Sequence, residues 1–191
     1  MIRSRTTAYI ALGLAAVVLG WTLYALPRRQ SAPVMRAGTP PPATPTAASP
    51  GRKIKARLFY VNDEGVRLTG VERDVAYAES ASDQAREIVA AQIAPVAEPL
   101  LSAVPHGTQL RALFITDKGE AFVDLSRDVV TAHPGGSANE LLTVYTLVNA
   151  LTANLPAITA VQLLVDGKEV DTLAGHVDLK RPLVKNLSWV E

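Results

Sequence analysis

The sequence predicts an α+β domain, in which three β-hairpins form a mostly antiparallel sheet and two helices pack on one face of it, in the order ββ-α-ββ-α-ββ. Short β-rich runs joined by glycine-containing turns occur in pairs from residue 53 onward. Two stretches with a helical spacing of apolar residues separate these pairs. An uncharged stretch of 19 residues near the N-terminus predicts one transmembrane helix ahead of the domain.

The predicted transmembrane helix spans residues 8–26, after a short tail of residues 1–7. At 1.5 Å per residue it comes close to the roughly 30 Å thickness of a bilayer core, whereas the apolar region of a cleavable signal peptide has about 7 to 15 residues. We therefore expect a retained anchor, and a cleaved signal peptide is the alternative. Arginines flank the span at positions 3, 5, 28 and 29, so the positive-inside rule does not fix its orientation.

Residues 27–53 are predicted to be a disordered, proline-rich linker. They contain seven of the 13 prolines and no acidic residue. Because proline lacks a backbone N–H and fixes φ, such a stretch is not expected to form a packed element. The linker would hold the domain at a distance from the membrane.

Composition and charge exclude several classes of protein. Nine of the 19 Lys and Arg residues precede Asp63, the first acidic residue, which leaves 10 basic against 18 acidic residues in the remainder. A net negative domain repels a phosphate backbone, so no nucleic-acid partner is expected. The absence of cysteine excludes disulfides, thiolate metal sites, a cysteine nucleophile and a lipid attached through cysteine.

Turn chemistry predicts the three hairpins. The predicted strand pairs and their turns are 53–61 and 66–75 around 62–65, 109–116 and 120–125 around 117–119, and 160–165 and 168–173 around Asp166-Gly167. A two-residue Asp-Gly turn between apolar runs is a strong hairpin signal, because both positions tolerate positive φ.

Two amphipathic helices are predicted between the hairpins. The first begins at Ser80 or Ser82, either of which can cap it, and ends before Pro95. The second begins with the capping box at residues 137–140, from Ser137 to Glu140, and ends at Pro156. The apolar residues at helical spacing are Ala85, Ile88, Val89 and Ile93 in the first helix, and Leu141, Val144, Tyr145, Val148, Leu151 and Leu155 in the second.

The three histidines are scattered along the chain. His106 lies in a turn before the second hairpin, where a solvated residue is the simplest interpretation. His133 precedes Pro134-Gly135-Gly136 at the start of the second helix, where glycine N–H groups could bind an anion, although the lysine and the spacing of a phosphate loop are missing. His176 and Asp178 could place two metal ligands on one face of an extended segment, but two ligands do not complete a metal site.

No motif reaches the strength expected of an enzyme. Ser126 follows Asp124 without a histidine nearby in sequence, and there is no G-x-S-x-G elbow. Asp166 and Asp171 are explained by turn and solvent-facing positions. We therefore predict no catalytic, cofactor-binding or metal-binding residues, and a protein that is not an enzyme.

Five stretches between residues 54 and 184 form a recognisable series. The most specific is the apolar strand from Val161, the Asp-Gly turn, the strand up to Leu173, and then Gly-His-x-Asp-Leu at 175–179. The others are 58–62 (Leu-Phe-Tyr-Val-Asn), 100–108 (Leu-Leu-Ser-Ala-Val-Pro-His-Gly-Thr), 122–126 (Phe-Val-Asp-Leu-Ser) and 148–152 (Val-Asn-Ala-Leu-Thr). Together they resemble the GerM-type (GerMN) domain of bacterial sporulation and germination proteins.

The resemblance implies an extracytoplasmic α+β domain at residues 54–184, related in shape to ring-building modules of envelope assemblies, without established catalysis, and followed by a tail at 185–191. It also implies a single-pass cell-membrane protein whose C-terminal domain is periplasmic or on the outer side. The founding spore protein has two copies of the domain and a lipid-modified cysteine, whereas this chain has one copy and a predicted transmembrane segment. A sporulation role is therefore not carried over.

Three functions are weighed. The leading hypothesis is a non-catalytic, membrane-anchored interaction or scaffold domain of the bacterial cell envelope, which binds an envelope protein or copies of itself through a sheet face or edge. The alternative is a ligand-binding module for cell-wall glycan or a small anion, at Gly135-Gly136 or near His176. A hydrolase is third, and it would depend on one of His133, Glu140, His176 or Asp178.

Overall fold

A computed structural model gives the fold of residues 51–191. The predicted tail (1–7), the predicted transmembrane helix (8–26) and nearly all of the predicted linker (27–53) lie outside these residues. None of the helices between residues 51 and 191 has the length and apolar character that a bilayer span requires.

The first hairpin forms a two-stranded antiparallel sheet. Strand β1 (Lys53–Val61) pairs along its whole length with strand β2 (Leu68–Ala76). Asn62 closes the turn, because its Oδ1 accepts the backbone N–H groups of Val66 and Arg67 at 3.2 and 3.1 Å. The predicted hairpin is confirmed, with a slightly longer turn than expected.

The second sheet has the strand order β3-β4-β5-β6, and β7 also pairs with β5. Its strands are β3 (Leu110–Ile115), β4 (Glu120–Leu125), β5 (Ala160–Val165), β6 (Lys168–Glu169) and β7 (Leu183–Val184). Strands β3 and β4 are antiparallel as predicted, but β4 and β5 run parallel. The α+β class is confirmed. The strand pairing is mostly antiparallel, as predicted, but the strands of residues 51–191 form two sheets instead of one, and the β4–β5 pair is parallel.

The parallel pair follows from the connection between its strands. A parallel pair needs a crossover of about a dozen residues or more, usually helical. Strands β4 and β5 are joined by a short helix α2 (Asp128–Thr131), which the sequence did not predict, and by the long helix α3 (Ser137–Asn154). The apolar periodicity of the sequence identified α3. It did not show whether the strand after this helix would run parallel or antiparallel to β4.

The two predicted helices begin differently. Helix α1 (Ala81–Ile93) is capped as expected by Ser80, whose Oγ accepts the N–H of Asp83 at 3.0 Å. The N-cap of α3 is Gly136, whose φ of 85° favours glycine, and Ser137 is the first helical residue. The capping box is therefore wrong, and the carboxylate of Glu140 is directed instead at the loop of residues 173–177.

The third hairpin keeps its predicted turn and loses most of its second strand. Asp166 and Gly167 both have positive φ, 50° and 74°, as an Asp-Gly turn requires. Strand β6 covers two residues instead of the predicted 168–173. Leu173, at the end of that stretch, donates its N–H to Glu140, so the chain has left the sheet before reaching it.

The hydrophobic core joins both sheets through the helices. Helices α1 and α3 pack on each other, and each contacts strands of both sheets, so they do not lie on one face of a single sheet. Helix α3 is buried on most sides, and its Leu147 and Leu151 are fully buried. Phe59 and Tyr60 of β1 are among the largest fully buried side chains of the core.

The last residues of the chain pack against the domain, although the sequence assigned 185–191 to a tail. They contain a short 3-10 helix, Leu187–Trp189. The backbone N–H of Glu191 donates to the C=O of Leu68 at 3.0 Å. The Glu191 carboxylate accepts hydrogen bonds from Asn62 and Thr69 at 3.0 and 2.8 Å, so this segment covers the start of β2.

Strand β1 has its second edge closed by side chains. The N–H of Phe59 donates to Oε1 of Gln92 on α1 at 2.8 Å, and its C=O accepts from Nε2 of the same side chain at 2.7 Å. Arg57 forms the same pair of bonds with Asn154 of α3, both at 2.8 Å. A carboxamide carries both an acceptor and donors, so it can take the place of a neighbouring strand. We call Gln92 and Asn154 the amide clamps.

Replacing Gln92 by leucine should lower the free energy of unfolding by about 3 kcal/mol, because two buried backbone groups of Phe59 lose their partners. Gln92 is 0 % exposed, so water cannot replace the amide. Urea unfolding of the full-length protein measures the loss. Gln109→Leu is the matched control, since Gln109 is exposed and its side chain has no hydrogen-bond partner among residues 51–191. Equal losses in the two variants would contradict the role of the clamp.

Candidate functional site

A cluster of titratable side chains, formed by Glu140, His133 and His176, lies where α3 begins. Glu140 is 0 % exposed, and its two carboxylate oxygens accept the backbone N–H groups of Leu173 and His176 at 2.7 and 2.8 Å. The ring Nδ1 of His176 lies 3.3 Å from the same carboxylate. The Gly-His-x-Asp-Leu stretch that the sequence singled out, at 175–179, therefore begins within the loop that Glu140 holds, at 173–177.

The charge state of Glu140 follows from this geometry. Burial raises the pKa of its carboxyl, but hydrogen bonds from the backbone N–H groups of the loop outweigh that effect and hold the pKa below its ordinary value. The N–H groups belong to Leu173, Ala174, His176 and Val177. An ionised carboxylate that accepts several backbone bonds is a stable acceptor and a poor proton donor, so the arrangement does not resemble a general acid.

His133 reaches the same region from the other side of the helix start. Its Nδ1 accepts the N–H of Gly135 at 2.9 Å, and its Nε2 lies 3.2 Å from the hydroxyl of Thr143. Burial lowers the pKa of the His133 imidazole, the negative charge of Glu140 opposes that shift, and His176 adds to it, with a net lowering. A neutral ring that accepts a hydrogen bond at Nδ1 fits these contacts. The ring thus connects Gly135 to Thr143 of α3.

The predicted pair of His176 and Asp178 is not brought together around one point. His176 faces Glu140, whereas Oδ1 of Asp178 accepts the backbone N–H of Lys180 at 3.0 Å. Among residues 51–191, no group of three or more His, Cys, Asp or Glu side chains is arranged to hold a metal ion. His176 is thus bonded to Glu140, and Asp178 is bonded to the backbone two residues further along the chain.

The other singled-out residues lie away from this cluster. His106 is exposed and lines a groove of about 700 Å³ formed by the segment 93–109 and Pro134. Asp124 accepts the N–H of Gly167 at 2.7 Å and lies 3.2 Å from Nε of Arg111, so it fixes the third hairpin to β4.

Ser126 and the remaining aspartates have structural partners as well. The hydroxyl of Ser126 donates to Asp128 at 2.7 Å and accepts the N–H of Gln109 at 3.0 Å. Asp166 lies 3.3 Å from Arg111, and Asp171 lies 3.7 Å from Lys180. Of these contacts, only that of Ser126 with Asp128 joins a hydroxyl to a carboxylate, and neither side chain is hydrogen-bonded to a histidine among residues 51–191.

Strand edges are the other feature with functional potential, and most of them are covered. The amide clamps close β1. At β3, Nη2 of Arg86 donates to the C=O of Leu113 at 2.8 Å, and α1 packs against the strand. Strands β6 and β7 have two residues each, which is too short to template an added strand.

The outer edge of β2 is open in its middle. At one end Glu191 bonds to Leu68, and at the other Nε2 of Gln84 donates to the C=O of Ala76 at 2.9 Å. Between these ends, no residue of the described chain pairs with the outward side of the backbone from 70 to 74. This stretch was not identified from the sequence, since an exposed edge leaves no composition signal of its own.

Glu140→Gln should destabilise the full-length protein by about 2 kcal/mol at pH 7, because charge-assisted bonds to a buried group are lost. The folded pKa of Glu140 is lowered, so its contribution is fully present above the ordinary value of 4.5 and is lost as the pH falls below it. Urea unfolding at pH 7 and pH 4 checks this, and the gap between wild type and variant should shrink at pH 4. Glu98→Gln, at an exposed carboxylate, should show neither effect; a pH-independent gap for Glu140→Gln would contradict the assignment.

Comparisons with known proteins agree with this fold. The profile of the Germane family, described as sporulation and spore germination, matches residues 57–171. No curated protein sequence matches the chain significantly.

Two solved structures share the architecture. A 2.5 Å crystal structure of a protein assigned as a lipoprotein in Clostridium perfringens is 22 % identical with a TM-score of 0.50, over 70 % of this chain and 88 % of that one. The tandem GerMN domains of the sporulation protein GerM from Bacillus subtilis are 17 % identical with a TM-score of 0.55, over 70 % of this chain and 46 % of that one. The chain thus spans less than half of the tandem structure, and at these identities the likeness shows a shared fold.

The family match covers more than half of the chain, from β1 to the residues that follow β6. It confirms the resemblance to GerM-type domains that the sequence motifs indicated. The chain belongs to the Germane family of sporulation and spore germination proteins.

Proposed function

We propose that this protein is a non-catalytic interaction or scaffold domain of the bacterial cell envelope, held to the membrane by residues 8–26 and facing away from the cytoplasm. The observation that carries the proposal is the set of hydrogen bonds that Glu140 accepts. The carboxylate of Glu140, in the cluster of histidine and carboxylate groups near α3, accepts backbone hydrogen bonds from the loop 173–177 and holds that loop in place. A domain whose reactive groups maintain its own fold is better suited to binding than to chemistry.

Two further observations support the proposal. The family is one of sporulation and spore germination proteins, and one structural relative is itself assigned as a lipoprotein, which is a membrane-attached class of protein. Large apolar side chains are also exposed on the described domain, including Phe114 at 60 % and Val184 at 64 %. Burial of such side chains against a partner would remove apolar surface from water, which favours association.

Binding of cell-wall glycan or a small anion at Gly135-Gly136 is less well supported. The N–H of Gly135 already donates to His133, which removes one of the two groups such a site would use. His176 is directed at a carboxylate, which opposes binding of an anion beside it.

Photo-crosslinking in native membranes tests the proposal. A photoreactive residue placed at Phe114 or Val184 of the full-length protein should yield an adduct of defined mass, because a scaffold domain is expected to be in contact with an envelope protein. The same adduct should form in a His176→Ala background, since His176 carries no reaction in this account. Monomer at every position, or a hydrolase activity that His176→Ala or Glu140→Gln abolishes, would overturn it.

A further inference from the structure

The hydrogen bonds of β1 determine which way the backbone of β2 points. Phe59 and Arg57 direct both of their backbone groups away from β2, toward the amide clamps. In an antiparallel ladder, the residues opposite such positions also direct their groups outward. Phe59 pairs with Gly70 and Arg57 with Glu72, and by the same alternation Asp74 points outward as well.

The open edge therefore presents three N–H and three C=O groups, from Gly70, Glu72 and Asp74. It spans about 17 Å at roughly 3.4 Å per residue. No hydrogen bond of the described chain involves these outward backbone groups, and the neighbouring side chains of Glu72 and Asp74 are exposed. A free edge of this length is a template for an added strand.

The side chains of the first sheet show which strand would fit. On one face, β1 carries Lys55 and Arg57, and β2 carries Asp74 and Glu72 directly opposite them. Nζ of Lys55 lies 2.7 Å from Oδ1 of Asp74. Opposite charges on neighbouring strands are favourable and like charges are unfavourable. A strand added beside β2 would place its side chains next to Glu72 and Asp74. Basic side chains on that strand would therefore be favoured, as they are on β1.

A second copy of this chain does not meet that requirement. If two β2 edges paired antiparallel, the register with Glu72 opposite Glu72 and the register with Glu72 opposite Asp74 would both juxtapose like charges. The register with Glu72 opposite Gly70 extends onto Leu68, whose C=O is already bonded to Glu191.

We propose that the outer edge of β2, from Gly70 to Asp74, is a docking surface for an extended segment of a partner protein that carries Lys or Arg at every second residue. The segment would add a third strand to the first sheet. Its backbone would bond to Gly70, Glu72 and Asp74, and its basic side chains would lie beside Glu72 and Asp74. This inference rests on the proposed function and names the partner class and the surface it uses.

A titration with a synthetic peptide tests the inference. The probe is a nine-residue peptide, Thr-Lys-Val-Lys-Thr-Lys-Val-Lys-Thr, labelled with a fluorophore and added to the full-length protein in detergent. We expect saturable binding by fluorescence anisotropy, with NMR amide shifts concentrated at residues 70, 72 and 74. The same peptide with Glu in place of Lys should not bind, and the Lys peptide should bind more weakly as salt rises.

Three variants separate the backbone contribution from the charge contribution. Glu72→Pro removes an outward N–H and the Glu72 carboxylate without touching the ladder to β1, at a position where proline is tolerated in an edge strand, and it should abolish binding. Glu72→Gln removes only the charge and should weaken binding much less, so the difference between the two reports the backbone contribution. The double reversal Glu72→Lys and Asp74→Lys should weaken binding about tenfold or more by placing like charges opposite one another. Asp117→Lys with Glu169→Lys changes the net charge equally at exposed sites away from β2 and should leave binding within about twofold.

Three outcomes would overturn the inference. They are no binding of the Lys peptide, binding that survives Glu72→Pro, and a dimer of the full-length protein in sedimentation that Glu72→Pro dissociates, which would assign the edge to a second copy. The crosslinking positions Phe114 and Val184 are not on β2. If they still report a partner while the peptide fails, the edge inference falls and the scaffold proposal stands.

Discussion

Gln92 and Asn154 hydrogen-bond to β1 at the places where a third strand would otherwise pair, and this arrangement constrains the first sheet and the two helices. A buried strand edge needs partners for every N–H and C=O, since an unpaired buried group costs about 1–3 kcal/mol. Because those partners come from α1 and α3, the helices are fixed against β1. The first sheet can then grow only on the side of β2.

The same use of side chains for backbone bonds recurs through the domain. Asn149 of α3 bonds both backbone groups of Asn186, at 3.0 and 2.8 Å, and so holds the C-terminal segment against the helix. Glu140 also bonds to backbone groups, but through an ionised carboxylate, which fixes the loop that carries His176. Polar residues of α3 therefore hold the neighbouring segments in place.

The sequence identified what depends on local chemistry. The Asp166-Gly167 turn, the cap at Ser80 and the first two hairpins follow from backbone preferences of nearby residues, and the structure has them where they were expected. It did not identify what depends on contacts between distant residues. Gln92 looks like an ordinary polar residue on a helix, and Glu140 looks like half of a capping box until the loop 173–177 is placed beside it. The parallel pairing of β4 and β5 is likewise set by the path of α2 and α3, which periodicity does not report.

Amide hydrogen exchange of the full-length protein, resolved by residue, tests the central claim that side chains close one edge of the first sheet and leave the other open. Phe59 and Gly70 occupy the same step of the ladder, with their N–H groups directed to opposite sides. The account predicts slow exchange at Phe59, because Gln92 holds its N–H in a buried bond, and fast exchange at Gly70 in the absence of a partner. Comparable protection at the two residues would contradict it, since the β2 edge would then already be occupied or the Gln92 bond would not form.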